Sequence, residues 1–498
     1  MARRYLPFSL FRHNRGNLIR YSAMRFLLIS TLLLATTACT WVPIESSGKT
    51  VRVLVRRPVA TYADDAGKLG TTLSPSGAEK SASADGAVPV WSQPEPQGAG
   101  WTFGKRRIEF FKYKDDKPLY AIDAGNVDKY ADKLAPGQVE LIKSTKGFRM
   151  DVYPSRRTCG TPDFVAENTR KNVGFARMAS DGVSLEEAHV PGFPFPMPGN
   201  GAEAMWNMKL RYRGLASGMR NSQTIVSPRK GSDEWIKAAN DITVFVPWGV
   251  KGSTLFSKVD RMEAAVYFAY NAPAALAGQA AVVTTIAGKP QEAHYYFPGQ
   301  RRVRRMPTYS YDSPQIGMDN QVTVDESYVY SGPMDRFDWK LVGKKELIVP
   351  YNALGIFDFT AKADDVLLRD APAPAVRRYE THRVWIVEAT VKQGVRHLAP
   401  KRTFYLDEDS WVPLLAVDQD AQGKVWKVRE GYAMPVYETG TCDVAAYSQY
   451  NLADQRYFLD YTSLGAGSDI QYYTEAAGNP RLKRDFYTSD NLRAISER

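Results

Sequence analysis

The chain has 498 residues, 44% of them hydrophobic and 12% aromatic, so it can bury a large core and is neither disordered nor fibrous. Three cysteines are too few for a disulfide scaffold. The formal charge of +11 overstates its basic character: positions 3, 4, 12, 15, 20 and 25 hold six arginines, residues 1–38 hold no lysine or acid, and taking six from +11 leaves +5.

Those first residues read as an export signal over 1–38. Phe26–Ala35 is an apolar run behind Arg25, too short to span a bilayer, and Thr36-Thr37-Ala38-Cys39 follows it. Met24-Arg25 alone makes a compact basic start, so translation from Met1 and from Met24 both fit. The tetrapeptide resembles a lipobox, whose cysteine becomes a lipidated first residue, with Thr36 where leucine is usual. Lipid on Cys39, followed by Thr40 rather than Asp, points to the periplasmic face of the outer membrane. Cleavage after Ala38 without lipid gives a soluble periplasmic protein instead. With Cys39 lipidated, Cys159 and Cys442 remain. In an oxidising compartment a disulfide between them is the expectation, and two separate buried thiols the alternative.

Residues 39–100 are rich in Ser, Ala, Gly and Pro and read as a flexible tether partly draped on the domain, with one helical candidate at Asp64–Leu69. The rest, 101–498, reads as a single domain: helix-rich over 101–215, strand-rich over 223–437, and irregular over a tyrosine-rich tail, 438–498. Helices are predicted at Asn126–Leu134, Pro136–Thr145, Thr161–Val173 (Thr161 as N-cap) and Ala202–Tyr212. Phe193-Pro-Phe-Pro-Met-Pro-Gly199 cannot be regular structure, because alternating prolines remove donors and fix φ. It reads as an apolar extended loop that could act as a lid. Strands follow at Gln223–Ser227, Asp241–Pro247, Ala264–Asn271, Ala280–Ala287, His294–Phe297, Val303–Met306 and Trp339–Val349.

Arg383–Val391, Arg402–Leu406, Trp411–Val417 and Lys424–Tyr432 then form an antiparallel meander, with turns at Gln393-Gly394, Asp407–Ser410 and Gln419–Gly423. Its alternation puts Val384 and Ile386 on one face and Trp385, Val387 and Ala389 on the other. A sheet apolar on both faces needs a cover on each, either helices or a bound apolar ligand.

The five histidines are scattered, with no His-x-x-x-His or Cys-x-x-Cys pair, and no nucleotide or hydrolase motif occurs, so no metal, cofactor or catalytic residue is expected. Asp407-Glu408-Asp409 reads as a solvated turn rather than as paired catalytic carboxylates. Arg301, Arg302, Arg304 and Arg305 form the densest basic stretch. Pairing with the protein's own acids is the favoured reading, contact with anionic lipid headgroups the second, and Arg156-Arg157 poses the same question. Nucleic acid is not an expected partner of an exported chain.

Several segments resemble the bacterial family catalogued as domain of unknown function 1329: LGTTLSPSGAEKSASADGAVPVW (69–91), LAPGQVELIK (134–143), RMDVYPSRRT (149–158), FPFPMPGNGAEAMWN (193–207), YYFPGQRRVRRMPTYSYDSP (295–314) and RTFYLDEDSW (402–411). That family is similar in turn to lipoprotein-sorting carriers of the LolA type. The resemblance implies an α+β fold, a large curved antiparallel sheet forming an incomplete barrel, covered by helices from the N-terminal part around an acyl-chain cavity. It also implies work beside an RND-type transporter, and no catalytic residues.

The leading function is therefore a non-enzymatic carrier of lipids or other hydrophobic molecules on the periplasmic side. An envelope hydrolase without a recognisable motif and a structural scaffold are the alternatives. Strand position nominates Phe245, Phe268, Val282, Ile286, Val384, Ile386, Phe404 and Leu414 as cavity walls, with ordinary core as the competing reading.

Overall fold

The computed structural model describes residues 39–46, 49–56, 65–95 and 97–497. The predicted export signal lies outside them, as does the side chain of Cys39, whose backbone opens a hairpin of Cys39–Ser46 with Lys49–Arg56.

Sixteen strands form one sheet among the described residues. In chain order they are β1 (Tyr120–Ile122), β2 (Met150–Tyr153), β3 (Ala216–Val226), β4 (Ile236–Phe245), β5 (Met262–Ala272), β6 (Ala280–Ile286), β7 (Glu292–Phe297) and β8 (Arg302–Arg305). Then come β9 (Phe337–Pro350), β10 (Tyr379–Val391), β11 (Lys401–Asp407), β12 (Pro413–Gln419), β13 (Val425–Gly431), β14 (Tyr447–Asn451), β15 (Arg456–Thr462) and β16 (Gln471–Tyr473). They are ordered β8-β7-β6-β5-β4-β3-β15-β14-β13-β12-β11-β10-β2-β1, with β9 on β10 and β16 on β3. Only β2 and β10 run parallel, and β8 and β1 are left as unjoined ends, so the sheet is large, mostly antiparallel and not closed.

The predicted strands are all present, and the meander is β10–β13. Opposed residues share a face, so the register sorts its side chains. Ile386, Tyr405 and Leu415 are in line on one face, and Val387, Phe404 and Ala416 on the other.

The predicted tail corrects the reading most. β14 and β15 sit in the middle of the sheet, between β13 and β3. Tyr-Ser-Gln-Tyr-Asn shows no alternation of hydropathy because its buried polar members are satisfied internally: Tyr432 donates to Ser448 at 2.8 Å, and Gln449 accepts from Arg429 at 3.0 Å.

Helices are few and short: besides single turns such as Ala363–Val366, those of eight residues or more among the described residues are α1 (Pro136–Ser144), α2 (Asp163–Asn172), α3 (Gly201–Lys209) and α4 (Ser489–Ser496). The helix read at Asn126–Leu134 is a 3-10 turn, Val127–Lys133. α2 begins one residue later than Thr161 as N-cap requires; Pro162 holds that place and offers no side-chain acceptor. α1 lies flat on the meander because Gly137 has no side chain, and a Cβ there would meet Val417 at 2.5 Å.

From residue 65 the stretch read as tether is packed. Leu69, Ala78, Val88 and Trp91 are buried, and Trp411 donates its indole N–H to the Ser76 carbonyl at 3.0 Å. The Pro-rich loop 193–199 is pinned rather than lid-like. Asn207 bonds both the N–H and the carbonyl of Phe195, at 2.9 and 2.6 Å, and Gly77 lies so close to Pro196 that a Cβ there would sit 2.1 Å from its carbonyl oxygen. Cys159 and Cys442 form a disulfide, with Cα atoms 5.1 Å apart, in the core on this side of the meander.

Candidate functional site

One face of the meander is sealed by ions. The segment between β8 and β9 lays Asp325 and Glu326 over it. Asp325 takes Arg402 at 2.6 Å and His397 at 2.9 Å, while Glu326 takes Lys427 at 2.9 Å. Asp418 lies beneath, held by Arg429 at 2.7 Å and Arg402 at 3.2 Å. Apart from His397, the cluster holds six ionic groups, all buried and three of each sign. Burial works against ionised carboxylates, but Arg402 and its neighbours outweigh it and hold Asp325 and Asp418 below the usual carboxylate range.

The other face is open. Between α1 and β9–β13 lies a groove of about 310 Å³, walled by Leu134, Pro136, Leu347, Ile386, Tyr405, Val417 and Val425, with Lys345, Glu388, Lys401, Thr403 and Gln419 among its polar residues. Strand alternation makes it: Ile386 and Glu388, Thr403 and Tyr405, Val417 and Gln419 each stand two apart and face the same way. The start of α1 supplies the opposite wall, and Gln138 anchors that end by capping Ala135 N–H at 2.9 Å and donating to the Ile348 carbonyl at 3.0 Å. The volume is at the small end of ligand sites. Its polar groups are sparse: Lys401 pairs with Glu388 at 3.2 Å, and burial, with the Glu388 charge, pushes the Tyr405 hydroxyl up to about 12.

Of the eight predicted wall residues, only Ile386 borders this groove. Val384, Phe404 and Leu414 are fully buried in packed core. Phe245 and Val282 lie in a separate cluster under α4, where Phe245 stacks on Tyr487 at 5.5 Å. Ile286 packs at its edge, and Phe268 is half-buried against Tyr270 and Tyr295. The signal that could have found the groove was the polar alternation of Glu388, Thr403 and Gln419 along the strands, which the two-sided apolar reading passed over.

The arginine run depends on the same distinction. Among the described residues Arg301, Arg302 and Arg304 have no carboxylate within 4 Å, and Arg305 pairs with Glu292 at 3.8 Å, so of the four only Arg305 shows the favoured internal pairing. They stand exposed along the end strand β8. Arg156 and Arg157, by contrast, pair with Asp116 and Asp409.

The Asp407-Glu408-Asp409 turn is buried, which reverses the solvated reading. Asp409 is clasped at two points by Arg157, at 2.8 and 2.6 Å, and Glu408 meets Lys344 at 2.8 Å and Arg383 at 3.2 Å. Among the described residues Asp407 has neutral donors, Ser410 and Tyr351, and burial together with the Asp409 charge pushes it up to about 6. His382, Asp407 and Asp409 bring one potential metal-ligand atom each within 4.8 Å of one another. Arg157 already neutralises Asp409, and His382 is engaged by Glu380 at 3.1 Å and by the Tyr351 ring stacked 3.6 Å away.

Residues 121–493 match the family described as protein of unknown function (DUF1329). The chain belongs to the DUF1329 family. The uncharacterized protein PA3922 of Pseudomonas aeruginosa is 36% identical over 406 residues, spanning 80% of this chain and 87% of that one. Among solved structures, a domain described as outer membrane lipoprotein-sorting, from Vibrio parahaemolyticus, is 12% identical, with a TM-score of 0.40 over 59% of this chain and 98% of that one. A DUF1329 protein from Desulfovibrio piger is 13% identical, with a TM-score of 0.36 over 55% and 92% of the two chains. The LolA superfamily protein NE2245 of Nitrosomonas europaea is 11% identical, with a TM-score of 0.34 over 59% and 99%.

Proposed function

We propose that this DUF1329 protein binds and carries a hydrophobic molecule, non-enzymatically, in the groove between α1 and the meander. The observation that supports this is the contrast between a sheet face filled by packed side chains and buried ions and a face that keeps about 310 Å³ over an apolar floor. A site that holds an apolar chain needs bulk and exclusion of water more than placed catalytic groups, and the groove's one carboxylate is already paired.

The finer elements rest on the sequence and on the family resemblance. They are a periplasmic location, anchoring at the outer membrane through lipid on Cys39, anionic headgroups meeting Arg301, Arg302, Arg304 and Arg305, and hand-over with an RND-type transporter. No described helix is long and apolar enough to cross a membrane. Fatty-acid labelling lost in Cys39→Ser is the expected signature of the lipid anchor, and equal labelling of both forms removes it.

The test of the carrier reading is protein purified from the periplasm, extracted with organic solvent for mass spectrometry and titrated with a fluorescent hydrophobe. A co-extracted lipid or saturable probe uptake is the expected result. Protein that yields no lipid and takes up no probe overturns it, and turnover of ester substrates would move the assignment to a hydrolase.

A further inference from the structure

We infer that the groove selects a single-chain amphiphile with an anionic head, the chain lying on Leu347, Ile386 and Val417 and the head meeting Lys345 and the Tyr405 hydroxyl. This rests on the carrier reading and adds the ligand's class to it.

Three observations carry it. First, the groove's charge does not cancel. Lys401 and Glu388 neutralise each other at 3.2 Å, whereas Lys345, exposed on β9, has no carboxylate within 4 Å among the described residues. The groove is left with one ammonium in surplus, placed beside its apolar floor.

Second, its hydroxyls are donors without acceptors. Neither Tyr405 nor Thr403 makes a side-chain hydrogen bond among the described residues, and both border the groove. The Tyr405 hydroxyl, pushed up to about 12, keeps its proton across the physiological range and donates to an anion. A carboxylate or phosphate is the kind of head to which a lysine ammonium and a hydroxyl can both donate. An ammonium head would meet two lysines, and an uncharged head would leave the surplus charge unanswered.

Third, size limits the tail. About 310 Å³ is at the small end of ligand sites, so the space suits one chain rather than two or three side by side.

The experiment is displacement of the neutral probe N-phenyl-1-naphthylamine by dodecanoate, dodecanol and dodecylamine, on the wild type and on Lys345→Met. Dodecanoate is expected to displace at a concentration about two- to fivefold below dodecanol, the range of an exposed ionic contact, with dodecylamine weakest. Lys345→Met should erase the acid-to-alcohol difference. Equal displacement by acid and alcohol in the wild type overturns the inference, as does a preference that survives Lys345→Met. Failure to bind any probe removes the carrier reading and this inference together, whereas binding without acid preference removes the inference alone. Lauroyl lysophosphatidylglycerol distinguishes the sources: tighter than dodecanoate it assigns a glycerophosphate head, weaker a free fatty acid.

Discussion

On one face of the β10–β13 meander Arg402, Asp418, Lys427 and Arg429 lie buried under Asp325 and Glu326. On the other, Thr403 and Gln419, one residue along in their strands, and Val425, brought opposite Gln419 by a bulge in the register, border open space. The strands are the same, so the difference comes from what the connecting segments bring. The segment before β9 brings two acids that match the cations beneath. α1 brings a glycine-flattened end that touches Val417 and Val428 and leaves the rest of the face uncovered. Apolar residues would fill the sealed face as stably as ions do. The ions instead fix which segment docks there, because any other would strand three buried cations.

The sealed face is the place to break that comparison with the largest effect. Asp418→Ala leaves Arg402 and Arg429 buried without their shared carboxylate, and removing one partner of a buried pair costs about 3–5 kcal/mol. Thermal or urea unfolding checks it, and a loss under about 1 kcal/mol would show that water reaches the network. Groove uptake should survive at temperatures where the variant stays folded, since the two faces are separate sites.

A smaller effect comes from Asp460, buried where Thr224 donates to it at 2.5 Å, with no ion pair to a cation among the described residues; burial pushes it up to about 7. The folded pKa is thus above the unfolded value of about 3.9. Between those two values the folded state holds a proton that the unfolded state has lost, so stability falls as pH rises from about 4 to 7 and levels off above. The span is at most about 4 kcal/mol. Asp460→Asn should flatten that part of the stability curve and raise the melting temperature at pH 8 relative to wild type. An unchanged slope would show the carboxylate already ionised in the folded protein.

Much of the sheet was legible in the sequence, because β5, β6 and β10–β12 pair β-branched and aromatic residues with clear turns. β14 and β15 were not, since Tyr447–Asn451 buries hydrogen-bonded polar groups that erase the period-two pattern. The 407–409 turn misled for the same reason: three acids in a row look solvated until Arg157, Lys344 and Arg383, distant in sequence, fold onto them. The groove was legible only as a need for cover on both faces. Which face stays open depends on whether Gly137 or Glu326 arrives over it, and that is set by contacts far apart along the chain.

The most direct test replaces one small residue on each face by tryptophan. Ala389 is fully buried on the sealed side, between Trp339 and Arg402 in the strand register, so Ala389→Trp overpacks and should cost about 1–3 kcal/mol or more. Thr403 borders the groove and is only half-buried, so Thr403→Trp should fill open space, keep the wild-type melting temperature and abolish uptake of a fluorescent fatty acid. If Thr403→Trp melts as early as Ala389→Trp, or keeps wild-type uptake, the groove is not a ligand site and the two faces of the meander are both ordinary core.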